Sequence, residues 1–135
     1  MNIQESMQGI LRSEAIFGEQ FYPTFFSRCP EAREYFEGTD MKRQALVITM
    51  TMTLIEQHYS NGYAAVKTYL QYLGTRHHTR AIGSELYTPM RDAMLEALEQ
   101  FHQNDWDDNL ARQWREAIDG ASEEMLKGYK ERVTL

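Results

Sequence analysis

The chain has 135 residues, 42% hydrophobic and 12% aromatic, with a formal net charge of −6. That length and apolar content suit one domain, 1–135, burying roughly two-thirds of the surface its unfolded chain exposes. Acidic and basic residues interleave with no polybasic run, which argues against an extended nucleic-acid footprint. Cys29 is the only cysteine, so no intrachain disulfide can form. The first residues, MNIQESMQGILRSEA, lack a basic region followed by an apolar run, the pattern of a secretory signal. The uncharged stretch Ala45 to Ile55 is far short of the ~20 residues of a spanning helix. The expected setting is cytoplasmic, with no membrane and no nucleic-acid partner.

From the start, Ile3, Met7, Ile10 and Leu11 predict a first helix, and Phe21, Tyr22, Phe25 and Phe26 an aromatic-faced second one. Pro30 ends or restarts the chain. Thr39-Asp40 then supplies a helix start signal. Between Ile48 and Leu54 apolar and polar residues alternate with period two, and the segment is rich in β-branched side chains, so its local reading is a strand. No second segment offers a comparable partner, and a lone strand leaves its backbone groups unpaired. Met41, Ala45, Ile48, Met52 and Ile55 also fit helical spacing, and helix is the expectation.

After Asn61-Gly62, the residues Val66, Tyr69, Leu70 and Leu73 mark a shorter helix ending near His77 or His78. Gly83-Ser84 gives a turn and a cap for the next helix. There Leu86, Met90, Ala93, Met94, Ala97, Leu98 and Phe101 step by three and four. The last segment repeats this with Leu110, Trp114, Ala117, Ile118, Ala121, Met125 and Tyr129, and most of its charges fall to either side. The two form an antiparallel hairpin joined near Gln103 to Asp107. The fold class expected is all-α.

The stretch Leu73-Gly74-Thr75-Arg76-His77-His78 carries the chemistry. A histidine at a helix end, pointing into an apolar interior, is how an all-helical protein can hold an iron porphyrin by its proximal face. A hydrogen-bonded or surface histidine at a helix end is the competing reading of the same residues.

Further residues carry a family resemblance. Phe21-Tyr22 is followed by Phe26 and Pro30, and Phe36 by Thr39-Asp40-Met41 and Gln44. Leu73-Gly74 comes with Arg76-His77, then Ile82 and Tyr87, and Trp114 lies in the last helix. In this order and at these separations the chain resembles a globin of the bacterial single-domain type, similar to the haem domain of flavohaemoglobins. The resemblance runs over nearly the whole length and implies a globin fold, helices packed around a haem pocket.

The resemblance implies that His77 is the proximal iron ligand of a b-type haem. Without a Cys-x-x-Cys-His motif the haem is held non-covalently. His78 lies about 100° further round the helix, so both cannot face one iron; His78, His58 and His102 are read as surface or packing histidines. Phe36 matches the phenylalanine that wedges the porphyrin. Tyr22 and Gln44 match the distal pair, whose hydroxyl and amide stabilise the charge that dioxygen acquires on binding. Ile48, one turn after Gln44, is the apolar residue over the ligand side. Arg76 is a candidate partner for a haem propionate. Tyr87 matches the tyrosine that helps orient the proximal histidine in flavohaemoglobins, where a glutamate completes the arrangement. Here that position falls on Tyr129, with Glu131 the nearest acid, so strong electronic activation of His77 is not expected.

The function implied is reversible binding of dioxygen, with nitric oxide and carbon monoxide as further ligands, for storage or delivery, by a monomer or homodimer. A nitric oxide dioxygenase would need electrons from a separate reductase, and 135 residues leave no room for a flavohaemoglobin's own. A haem-based gas sensor and a haem-free interaction module on the same fold are the other classes.

Overall fold

A computed structural model describes all 135 residues. Six α-helices carry the chain: α1 (Ile3–Arg12), α2 (Phe17–Arg28), α3 (Met41–Asn61), α4 (Ala64–Thr79), α5 (Tyr87–His102) and α6 (Asp108–Lys130). Short 3₁₀ segments at Pro30–Phe36, Ser84–Leu86 and Gln103–Asp105 join them, and there is no strand. No helix is long and apolar enough to cross a membrane.

Side-chain caps set three of the six α-helix starts. Asn2 and Glu5 form a reciprocal capping box at α1. Asp40 accepts the Lys42 and Arg43 amides at α3, and Asp107 the Leu110 amide at α6. Pro30 opens its 3₁₀ segment, where a missing N–H costs nothing. The expected cap at Ser84 is absent. Ser84 begins a 3₁₀ turn, and α5 starts at Tyr87 with no side-chain cap.

The segment from Ile48 to Leu54 is helical, inside α3. Two of its three threonines bond backward along the helix, Thr49 to the Ala45 carbonyl at 2.7 Å and Thr51 to Val47 at 2.8 Å, while the buried Thr53 hydroxyl has no partner. Thr49 also accepts the Gly18 amide of α2 at 3.0 Å. Gly18 allows that approach, since a Cβ there would overlap the Ala45 backbone.

The buried residues form one connected core. The whole α6 stripe from Leu110 to Met125 lies within it, and so do Phe21, Tyr22, Phe25 and Phe26 of α2. Leu11, expected on the buried face of α1, is 48% exposed; Ile3, Met7 and Ile10 suffice to seat that helix. The closest crossing is between α4 and α6. A Cβ on Gly74 would overlap the Met125 carbonyl, and one on Gly128 the Gln71 carbonyl. Thr75 Oγ1 donates to the Gly128 carbonyl across this crossing at 2.8 Å. Gly74 therefore sets the depth at which α4, three residues before His77, sits against α6.

Candidate functional site

An enclosed cavity of about 290 Å³ lies between α2, α3, α4, α5 and α6, and most of its wall is apolar. Phe21 and Phe25, Ile48 and Ile55, Leu73, Ile82, Met90 and Met94 contribute to that wall. His77, Phe36, Tyr22, Gln44, Ile48 and Arg76 all border it. Residues spread over the sequence from 22 to 77 are thus brought together at one surface.

His77 arrives on the last turns of α4, and its Nδ1 lies 2.6 Å from the Leu73 carbonyl oxygen. A carbonyl only accepts, so Nδ1 carries the hydrogen and Nε2 keeps its lone pair. Burial pushes the His77 pKa down, and the nearby Arg80 and Arg76 guanidiniums add to this. The ring is consequently neutral, the form that binds a metal.

The turn after His77 is also fixed. The Ile82 amide bonds to the His77 carbonyl and the Ala81 amide to His78, both at 3.0 Å. This is a Schellman closure, with Ala81 in the left-handed region at φ 61°. It folds Ile82 back beside His77 at the cavity wall. Tyr129 of α6 donates to the Ile82 carbonyl at 2.7 Å.

From the other side, Gln44 Nε2 donates to the Tyr22 hydroxyl oxygen at 2.9 Å. No protein acceptor takes the hydroxyl's own hydrogen. Burial pushes the Tyr22 pKa up to about 12 against the opposing effect of the Gln44 bond, so the phenol remains a donor at neutral pH. Phe36 stands edge-on to Tyr22 with ring centroids 5.2 Å apart, and Phe26 closes the cluster.

Tyr87 is placed differently. It is buried beside Tyr129, with ring centroids 5.8 Å apart, outside the cavity lining. Its hydroxyl has no hydrogen-bond partner, and burial pushes its pKa up. Glu131 follows α6 and is exposed. His78 packs against Tyr129 with the rings tilted and their centroids 5.0 Å apart, and His102 bonds at 2.6 Å to Ser6. Arg80 borders the cavity beside Arg76, and sequence reading missed it. Its signal was available: it sits one helical turn beyond Arg76, on the same face.

A larger open cleft of about 590 Å³ lies elsewhere, at α5 and α6. Its wall is mostly charged, and Arg28 and Arg112 there are already paired with Glu96 and Glu116. The enclosed cavity is the better site on chemistry. No cluster of three or more histidine, cysteine or acidic side chains occurs in the molecule. A single imidazole nitrogen cannot complete a metal's coordination, so a metal at His77 has to bring most of its own ligands. A porphyrin does that, and the residues present fit it: one axial donor, aromatic and aliphatic walls, hydrogen-bond donors opposite, and two guanidiniums at the rim for its carboxylates.

A family model for globins matches residues 19–125, more than half of the chain. No curated protein matches it. The matched span runs from α2 into α6 and so takes in every element that borders the cavity. The chain belongs to the globin family, whose members bind haem and, through it, diatomic gases.

Proposed function

We propose that this globin binds dioxygen reversibly on one non-covalent b-type haem held by His77. The observation that carries the reading is the pairing, across one apolar cavity, of a neutral imidazole with a free Nε2 and a tyrosine hydroxyl with a free hydrogen. When bound, the haem supplies a ferrous iron with one coordination position for a gas. His77, oriented by the Leu73 carbonyl, would offer its Nε2 to the iron. Tyr22, steadied by Gln44, provides a hydrogen-bond donor to a ligand that gains negative charge. Phe36 would pack against the porphyrin, Ile48 would keep the cavity wall apolar, and Arg76 and Arg80 would be placed to pair with its carboxylates.

Carrier is favoured over oxidant by the partner of His77. A carboxylate at Nδ1 would strengthen the imidazole's electron donation, whereas the Leu73 carbonyl is neutral. Nitric oxide and carbon monoxide are expected to compete for the same position. The purified chain mixed with haem should develop a Soret band. Once reduced, it should load and release dioxygen over repeated cycles. Absence of the Soret band overturns the haem reading, and rapid irreversible oxidation under air overturns the carrier reading.

A further inference from the structure

On the outer side of α4, Tyr72, Thr75, Arg76, Thr79 and Arg80 recur at helical spacing and form one wall of a groove of about 330 Å³. The opposite wall is the segment after α6, including Arg132, Val133 and Thr134. That segment is tied down. Thr75 Oγ1 donates to the Gly128 carbonyl at 2.8 Å and accepts the Val133 amide at 2.9 Å. Arg132 is thereby held at the same concave surface as Arg76 and Arg80 instead of ranging through solvent.

No side-chain carboxylate pairs with any of these three guanidiniums. Arg76 instead sits over the Tyr72 ring at 5.9 Å, with the Tyr72 hydroxyl 3.5 Å from its Nη1. Three like charges gathered on one surface repel, and in a chain of net charge −6 acids to offset them were not scarce. Arg76 and Arg80 border the haem cavity as well, whereas Arg132 faces the groove alone.

We propose that this groove binds a small oligophosphate through Arg76, Arg80 and Arg132, with the Tyr72 hydroxyl as a further donor. Guanidinium forks match phosphate oxygens in pairs. Three guanidiniums and no side-chain carboxylate in the lining favour a ligand with several negative charges over a monoanion. The groove is too small for a macromolecular chain and open on one side, which leaves room for an organic remainder in solvent.

Calorimetry on the full chain at fixed ionic strength tests this, with inorganic pyrophosphate as the probe and orthophosphate as the comparison. Pyrophosphate should bind at one site at least tenfold more tightly than orthophosphate. Arg132 borders the groove and not the cavity, so Arg132→Ser should weaken pyrophosphate at least tenfold with helical circular dichroism, melting temperature and haem uptake unchanged. Arg12→Ser, at the end of α1 and outside the groove, should leave the affinity as it was. Side-chain amide resonances of Arg76, Arg80 and Arg132 should move on titration of the unaltered protein. No saturable binding, equal losses in the two variants, or resonance shifts confined to other arginines would overturn the proposal. Haem uptake is read separately, so failure of the groove is distinguishable from failure of the haem pocket.

Discussion

The Nδ1 atom of His77 lies 2.6 Å from the carbonyl oxygen of Leu73, one turn earlier in the same helix. This bond fixes both the tautomer and the tilt of the imidazole before any ligand arrives. His77→Gly should therefore lose axial ligation and shift the Soret band, and added imidazole should restore the band by occupying the vacated space. His78→Ala should leave the spectrum unchanged, because His78 packs on Tyr129. The opposite pattern in the two spectra would move the ligand assignment to His78.

Tyr22 and Gln44 make one donor unit, in which the amide holds the phenol oxygen at 2.9 Å and leaves the phenol hydrogen free. A hydrogen bond to a charged acceptor contributes about 1.5–3 kcal/mol, or about ten- to a hundred-fold in a rate of escape. Stopped-flow measurement on Tyr22→Phe should show dioxygen leaving faster by that factor. Carbon monoxide gains less charge on binding and should be released at a nearly unchanged rate. Equal effects on the two gases would point to a change of pocket shape in place of a lost hydrogen bond.

Periodicity made α5 and α6 legible in the sequence because nearly all of their apolar residues face one core. The stretch from Ile48 to Leu54 was harder, since its alternating threonines lie in a helix, with Thr49 and Thr51 bonded to their own backbone, and not on a pleated surface. The Tyr22, Phe36, Gln44 and His77 positions came from a family pattern, and the structure brings them to one cavity. Other determinants were invisible. Gly128 and Thr75 matter only because α6 crosses α4 there, and no local spacing encodes a crossing. Tyr129, read only as a stripe residue standing where a glutamate was expected, places its hydroxyl on the Ile82 carbonyl, a partner far away in sequence.

Gly74→Ala tests that crossing. In an exposed helix the change would stabilise by roughly 0.5–1 kcal/mol. Here the added Cβ would overlap the Met125 carbonyl, which is backbone and cannot swing aside. Overpacking of this kind costs about 1–3 kcal/mol, so the sign should reverse and the melting temperature should fall. Haem affinity should fall with it, because α4 carries His77 away from α6. A neutral or raised melting temperature would show that the crossing is looser than described.

The turn after His77 offers a paired test. Ala81 occupies a left-handed conformation at φ 61°, which costs a non-glycine residue about 1–2 kcal/mol. Ala81→Gly should recover most of that and raise stability to chemical denaturation. Tyr129→Phe removes the 2.7 Å bond to the Ile82 carbonyl and should lower stability by about 1 kcal/mol. Amide exchange at Ile82, whose N–H bonds to His77, should quicken in Tyr129→Phe. If that exchange is unchanged, the tyrosine packs against the turn without holding it.

Acid should destabilise the haem-free protein, and the sign follows from two histidines. Burial is the main cause lowering the pKa of both His77 and His102; for His102 the amino terminus adds to this and Asp105 opposes it. His102 Nε2 lies 2.6 Å from Ser6 Oγ, which accepts the Trp114 indole N–H at 2.9 Å. In the Nδ1–H tautomer Nε2 accepts the Ser6 hydrogen, and protonating His102 would take that acceptor away. Above about pH 6.5, the ordinary histidine value, both rings are neutral folded or unfolded and contribute no pH dependence. Below it the unfolded chain gains protons that the folded chain resists, so stability falls with pH, by at most about 1.4 kcal/mol per pH unit for each ring. Urea unfolding between about pH 7 and pH 5 should show this slope, and His102→Gln should remove roughly half of it. A flat profile, or a slope unaltered in the variant, would place the titrating group elsewhere.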